Sequence, residues 1–216
     1  RLMKLWEGLG YYNRARNLKK AAGEVVIEWQ GNFPAEYDEI LSLPGIGEYT
    51  AGAIGSICFD LPTPAVDGNV LRVVSRLLAS DEDIMKASVR TKIENAIEPV
   101  IPEDAASDFN QGLIELGAIV CVPNGEAKCE ICPLTGICEA KRLGIQNELP
   151  VKKKAKARRI EERTVLIFKD GDHVAIRKRP EKGLLAGLYE LPNVEGRYSQ
   201  DEIVHLVKEM QLSPIR

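Results

Sequence analysis

Histidine is almost absent from this 216-residue chain: His173 and His205 are the only two. Both fall after residue 160, away from every motif described below. Imidazole acid–base chemistry and His-based hydrolytic triads are therefore excluded, and both side chains are expected at the surface. No apolar run approaches the roughly 18 residues that a membrane-spanning helix needs, and no apolar leader opens the chain. This places it among soluble proteins with no membrane partner. A basic surplus is missing too, since 29 Lys and Arg against 32 Asp and Glu leave a formal charge of −3. Any contact with nucleic acid must then come from local patches. No internal repeat is visible.

What remains is the composition of a globular protein of one or two domains. Helical spacing marks residues 13–29, with Leu18, Ala22, Val25 and Trp29 on one face and Gly31 as a stop. It recurs over 48–59, 68–79, 86–98 and 105–120. The opening "RLMKLWEGLGYY" has the same spacing at Leu2, Leu5, Trp6 and Leu9 without a capping lead-in, so a longer natural N-terminus is expected. After residue 160 the period falls to two: "RTVLIF" and "VAIRKRP" flank "KDGDH" as a β-hairpin with an Asp-Gly turn, and "LYELP" adds a short strand. Between the two regions "VKKKAKARR" carries six Lys or Arg among residues 152 to 159. It is most simply a flexible basic tether, with phosphate contact as the alternative.

Three stretches carry chemistry. In "LPGIGEY" Pro44 ends one helix, Gly45 and Gly47 are free to take positive φ, and the next helix starts at once. Such a corner leaves backbone N–H groups at a helix N-terminus with nothing bulky in front of them. A DNA phosphate fits there without any base being read, although the same pattern also serves simply to turn the chain. In "TPAVDGNVLRVVSRLL" Asp67 precedes a helix whose apolar side is Val70, Val73, Val74 and Leu77, the position of an ordinary N-cap. A carboxylate at a cleft mouth would instead stabilise positive charge growing on a sugar as a glycosidic bond breaks.

The third stretch holds Cys121, Cys129, Cys132 and Cys138, spaced C-x7-C-x2-C-x5-C within eighteen residues. The fifth cysteine, Cys58, lies in an apolar helix and reads as buried. An odd count without a secretory leader argues against a disulfide framework and for a metal site. With one short Cys-x2-Cys knuckle, zinc and an iron–sulfur cluster both stay open, iron modestly ahead.

Taken in order, "GLGYYNRARNL", "LPGIGEYTAG", "VDGNV", "FNQGLIELGAIVC" and the cysteine quartet resemble the helix–hairpin–helix DNA glycosylases. Within them the best match is the adenine DNA glycosylase (MutY) family, which removes adenine mispaired with 8-oxoguanine. "RKRPEKGLLAGLYELP" resembles the start of that family's C-terminal domain, so the likeness covers nearly the whole chain. It implies an α+β fold: a mostly α helix–hairpin–helix domain with an iron–sulfur module, then a partial Nudix-like β/α domain. The implied division is a helical barrel part over 1–100, a 4Fe–4S module over 101–145, a basic linker over 146–161 and a recognition domain over 162–216. The implied partner is double-stranded DNA containing an A:8-oxoguanine or A:G mismatch, met by a monomer that is cytoplasmic and nucleoid-associated if bacterial.

On the same resemblance Asp67 matches the family's catalytic aspartate and Asn69 a pocket residue beside it. Gly45, Ile46 and Gly47 match the backbone phosphate clamp. Tyr11 matches a tyrosine that wedges into the base stack, and Arg14 in the same stretch goes with it on the DNA. Cys121, Cys129, Cys132 and Cys138 match the ligands of a 4Fe–4S cluster. At Tyr49 the related endonuclease III family has a lysine, whose amine forms a Schiff base with the sugar; a phenol cannot, so base removal by water alone is implied.

Three departures qualify the match. One more residue separates Cys121 from Cys129 than the family pattern has, a change a loop can absorb. The family's second carboxylate, a glutamate that protonates the departing adenine, belongs to a helix upstream of the part matching Arg1, so the chain alone is expected to be inactive or nearly so. The segment "QDEIVHLVKEMQ" also lacks the clustered carboxylates that hold Mg²⁺ in Nudix hydrolases, which points to recognition rather than hydrolysis. Two other functions stay open: an endonuclease III-like glycosylase/lyase, and a non-catalytic DNA-binding protein with a structural metal.

Overall fold

The computed structural model describes residues 1–153 and 159–212. The chain forms two compact units, Arg1–Lys154 and Ala155–Arg216. The basic run read as a tether falls largely on residues 154–158, outside the described residues. Among the described residues no helix is long and apolar enough to cross a membrane.

The first unit is helical: α1 (Leu2–Leu5), α2 (Tyr12–Glu28), α3 (Tyr37–Ser42), α4 (Glu48–Phe59), α5 (Gly68–Leu77), α6 (Ala87–Ile97), α7 (Ala106–Glu115) and α8 (Glu139–Leu143). Its core is built where α5 and α6 meet: Val66, Val70, Leu71, Val74, Val89, Ile93 and Ile97 pack with Ile84, Ile101 and Ala106. Each such aliphatic side chain removed from water contributes about 1.5–3 kcal/mol before entropy is counted. Helix α5 lies at the centre, and every residue from Val70 to Arg76 is buried.

Helix α4 buries a stripe of small residues, Ala51, Gly52, Gly55 and Ser56. A Cβ at Gly52 would sit 2.0 Å from the Pro64 carbonyl oxygen, so the extended segment that leads to Asp67 lies directly on this helix. Because the small side is the inner one, the bulky side faces out, and Cys58 is exposed rather than buried. Helix α2 departs from expectation in the same way. Only Ala15 is fully buried; Leu18 is exposed at 57 %, Ala22 is exposed too, and Val25 and Trp29 are half-buried.

The helix expected over 105–120 changes pitch part-way. After Glu115 it widens into a π turn, Leu116–Val120, and delivers Cys121 with its N–H on the Leu116 carbonyl at 2.7 Å. The turn places Gly117 against α5, where an added Cβ would meet Asn69 Cβ at 2.5 Å.

Among the described residues the second unit holds three antiparallel pairs and one helix. β1 (Arg163–Val165) pairs with β6 (Asn193–Glu195), β2 (Lys169–Asp170) with β3 (His173–Val174), and β4 (Arg177–Lys178) with β5 (Tyr189–Glu190). The expected hairpin therefore exists only near its tip, around Gly171 with φ 55°. Its first strand instead takes a partner far along the chain, with Thr164 opposite Val194. Helix α9 (Gln200–Glu209) starts in a capping box of Ser199 and Glu202. His173 and His205 are both exposed.

Candidate functional site

Asp67 is the N-cap of α5. Its Oδ1 accepts the Asn69 N–H at 2.7 Å and the Val70 N–H at 2.9 Å, while Oδ2 accepts from the Asn69 side-chain amide at 2.8 Å. Capping thus consumes one carboxylate oxygen and leaves the other with a single hydrogen bond, although a carboxylate oxygen can accept about two. The group is half-buried. The chain running into it is pinned from two further helices. Asn110 of α7 accepts the Ala65 N–H at 2.8 Å and donates to the Thr63 and Ala106 carbonyls, and Arg90 of α6 donates to the Val66 carbonyl. The carboxylate is consequently fixed by the fold rather than by its own rotamer.

The glycine corner precedes α4. Gly45 has φ +83°, and a Cβ there would come 2.4 Å from the Asn17 amide nitrogen. It needs glycine twice over: for its backbone and for the approach of α2. Gly47 does not follow the expectation of positive φ. It is the N-cap of α4 at φ −109°, with no side-chain cap and nothing within 4 Å of an added Cβ. Ile46 between them is half-buried, with its N–H on the Leu43 carbonyl at 3.1 Å. The first N–H groups of α4 thus face a clear approach. Tyr49, in the first turn, is 39 % exposed and makes no hydrogen bond to Asp67.

Tyr11 stands at the N-cap of α2 in the left-handed region, φ 46°, and is 81 % exposed. An aromatic held in a costly backbone conformation and turned to solvent is not a packing residue. Arg14 is exposed one turn on, and Asn17 of the same helix reaches Gly45, so α2 brings "YYNRARN" alongside the glycine corner.

Cys121, Cys129, Cys132 and Cys138 line one cavity with Arg76, Lys141 and Gln146, and none forms a disulfide. Burial pushes the Cys129 thiol up, Lys141 opposes this, and Cys121, Cys138 and Cys132 add to the rise. Arg76 of α5 donates to Cys121 Sγ at 3.2 Å and to the Val122 carbonyl at 3.1 Å. One turn earlier Arg72 donates to the Cys121 carbonyl at 2.7 Å, the Gly117 carbonyl at 2.6 Å and Asn69 Oδ1 at 2.9 Å. Burial pulls this guanidinium below its ordinary value; Cys121 and Asp67 raise it and Arg76 lowers it. A continuous chain of hydrogen bonds therefore runs from Asp67 through Asn69 and Arg72 to Cys121.

Residues 1–99 match the HhH-GPD superfamily of base-excision DNA repair proteins. Among solved structures the chain is similar to an endonuclease III in a non-covalent DNA complex, with TM-score 0.55, 30 % identity and 68 % of each chain covered. It is likewise similar to a thermostable thymine-DNA glycosylase, with TM-score 0.57, 30 % identity, 66 % of this chain and 65 % of that one. Adenine DNA glycosylases match over far more of it. That of Arabidopsis thaliana is 38 % identical over 88 % of the chain, that of Schizosaccharomyces pombe 34 % over 90 %, and that of Homo sapiens 32 % over 88 %. The chain belongs to the adenine DNA glycosylase family. It spans 32 %, 51 % and 43 % of the length of those three relatives.

For an adenine DNA glycosylase family member the thiol cavity poses a direct question of fit. Among the described residues no three of His, Cys, Asp and Glu are gathered tightly enough to hold a metal ion. A lone zinc would need its four sulfurs drawn to about 2.3 Å from one centre. Four thiols lining one cavity are the donor set that either a zinc ion or an iron–sulfur cluster takes. Gln146 also lines the cavity, and its buried Oε1, an acceptor, has no hydrogen-bond partner among the described residues.

Sequence reasoning missed Arg72, Arg76, Arg90 and Asn110. No local signal marked them: Arg76 follows Ser75, and although Arg72 stands between Leu71 and Val73, only the structure shows the helix buried from Val70 to Arg76.

Proposed function

We propose that the chain carries the base-excising part of an adenine DNA glycosylase, which hydrolyses the N-glycosidic bond of adenine opposite 8-oxoguanine or guanine in duplex DNA. The observation that carries this reading is the Asp67 carboxylate, immobilised at a helix start with one oxygen left under-used. A stacked base cannot present its glycosidic bond, so the target nucleotide is extruded before it meets this group. As the bond to adenine lengthens, positive charge develops on the sugar, and a fixed anion at that point stabilises it without having to reorganise. Water then attacks the sugar with help from the same carboxylate.

The rest of the site positions the DNA. Gly45, Ile46 and Gly47 offer backbone N–H groups to a phosphate, which sets register without reading sequence. Tyr11 enters the stack beside the lesion as Arg14 meets the backbone. Asn69 holds Asp67 in place. Cys121, Cys129, Cys132 and Cys138 would hold a 4Fe–4S cluster, whose bonds to four thiolates would brace the loop of 121–138 against α5. The second unit fits a recognition module for the strand carrying 8-oxoguanine, and work on genomic DNA would place the protein with the nucleoid of a bacterial cell.

Tyr49 separates this reading from a glycosylase/lyase. A phenol forms no imine, so borohydride should trap no covalent protein–DNA adduct while adenine is released from an A:8-oxoguanine duplex by this chain joined to the family's upstream helix with its second carboxylate, and the chain alone should release little or none. A trapped adduct would favour the endonuclease III-like alternative. Bound zinc in place of iron and sulfide would favour the non-catalytic one.

A further inference from the structure

Two buried cations stand beside the thiol cavity. Arg76 is 4 % exposed and Arg72 is 5 % exposed, and among the described residues neither is in an ion pair with a carboxylate. Taking a guanidinium out of water is costly unless an anion compensates it. Carbonyls satisfy the N–H groups: Arg76 Nε donates to Leu149 at 2.9 Å and Nη1 to Val122 at 3.1 Å. They leave the charge unanswered.

The remaining partner of Arg76 is Cys121 Sγ at 3.2 Å, and the Cys138 thiol in turn lies 3.6 Å from the Arg76 carbonyl. Other cations near the cavity are differently placed: Lys141 is paired with Glu130 at 2.9 Å, and Lys128 is exposed. Four thiolates around a 4Fe–4S core in its resting 2+ state carry a net of two negative charges. Arg76 meets that charge directly at Cys121, and Arg72, which also feels Asp67, stands one turn behind it on the Cys121 carbonyl.

We propose that Arg76, assisted by Arg72, is the buried counter-charge of the cluster and sets its reduction potential. The proposal rests on the cluster reading above. Oxidising the core by one electron removes one negative charge from the site, so a neighbouring cation disfavours oxidation and holds the potential up. Arg76 is on this view a positioning and tuning residue, distinct from the groups that meet DNA.

The test compares Arg76→Gln, which keeps N–H donors but no charge, with Arg76→Lys, which keeps the charge. Both variants and the parent protein are purified without oxygen, assayed for iron and sulfide, and their one-electron potentials read by voltammetry. The Gln variant should oxidise at a lower potential than the parent and lose its visible absorbance several-fold faster in air, while the Lys variant stays close to the parent. Equal potentials for Gln and parent would overturn the proposal, as would a loaded Gln variant beside an unloaded Lys variant. A Gln variant unable to load beside a loaded Lys variant would support it. A parent protein without iron or sulfide would overturn the cluster reading itself, whereas a loaded parent with unmoved variants removes only the tuning role.

Discussion

Asn69 holds Asp67 with one end of its amide and is held by Arg72 with the other: Nδ2 lies 2.8 Å from Asp67 Oδ2, and Oδ1 lies 2.9 Å from Arg72 Nη2. The amide orientation is thereby fixed from both sides, since a flipped amide would set acceptor against acceptor and donor against donor. Replacing Asn69 with Leu should leave Asp67 capping its helix through backbone N–H groups yet free its second oxygen to turn. With the family's upstream glutamate-bearing helix joined to the chain, adenine release under single-turnover conditions should fall about 10²-fold while duplex affinity stays within a factor of about three.

Arg72 satisfies two buried carbonyls besides Asn69. Its replacement by Met should cost about 1–3 kcal/mol for each buried acceptor left unpaired, read as a lower denaturation midpoint in urea. Asn110→Leu should lose stability for the same reason, because the Ala65 N–H and the Thr63 carbonyl would lose their partner.

Gly45 and Gly47 should respond with opposite signs. Gly45→Ala places a Cβ in a positive-φ position and against Asn17, so it should destabilise the fold by at least ~1 kcal/mol. Gly47→Asp meets open space and an extended backbone, and aspartate is among the best N-cap residues. Thermal stability should hold or rise, whereas affinity for duplex DNA should drop at least tenfold, because a carboxylate would occupy the place of the phosphate. Unchanged binding would remove the corner from the DNA interface.

Glu94 offers a pH test away from the thiol cavity. Burial, then Glu48, raise its carboxyl above the ordinary 4.5, and Arg90 opposes them. The folded state then holds the proton more tightly than the unfolded chain, so stability falls as pH rises from the unfolded value through the raised one. Glu94→Gln should flatten that decline and leave stability below it unchanged, measured by urea titration across the acid range.

How much of this was readable from residues alone depends on the range of the forces involved. Asp67 as an N-cap, the tip of the 170–173 hairpin and the limits of α4 were legible, because caps, turns and helical period are set by neighbours in sequence. Cys58 was misplaced because α4 turns its small residues inward, a choice made by the segment at Pro64 and not by hydrophobicity. Thr164 was paired with the wrong strand for a similar reason, its true partner Val194 being thirty residues away. Arg72 and Arg76 look like solvent-facing residues in one dimension, and only the packing of α5 on every side reveals them as buried charges. The motifs marked Asp67, the glycine corner and the cysteine quartet, while the side chains that hold these in place emerged only from tertiary contacts.

The most direct measurement is single-turnover release of adenine from an A:8-oxoguanine duplex by the chain joined to the family's upstream glutamate-bearing helix and carrying Asp67→Asn, beside the same protein with Asp67. Asparagine also caps helices well, so folding should be retained and circular dichroism should match the parent. Release should fall by at least about 10²-fold with duplex binding preserved. Release at the parental rate by a folded variant would show that the carboxylate at the head of α5 is only a cap, and would contradict the assignment of the site.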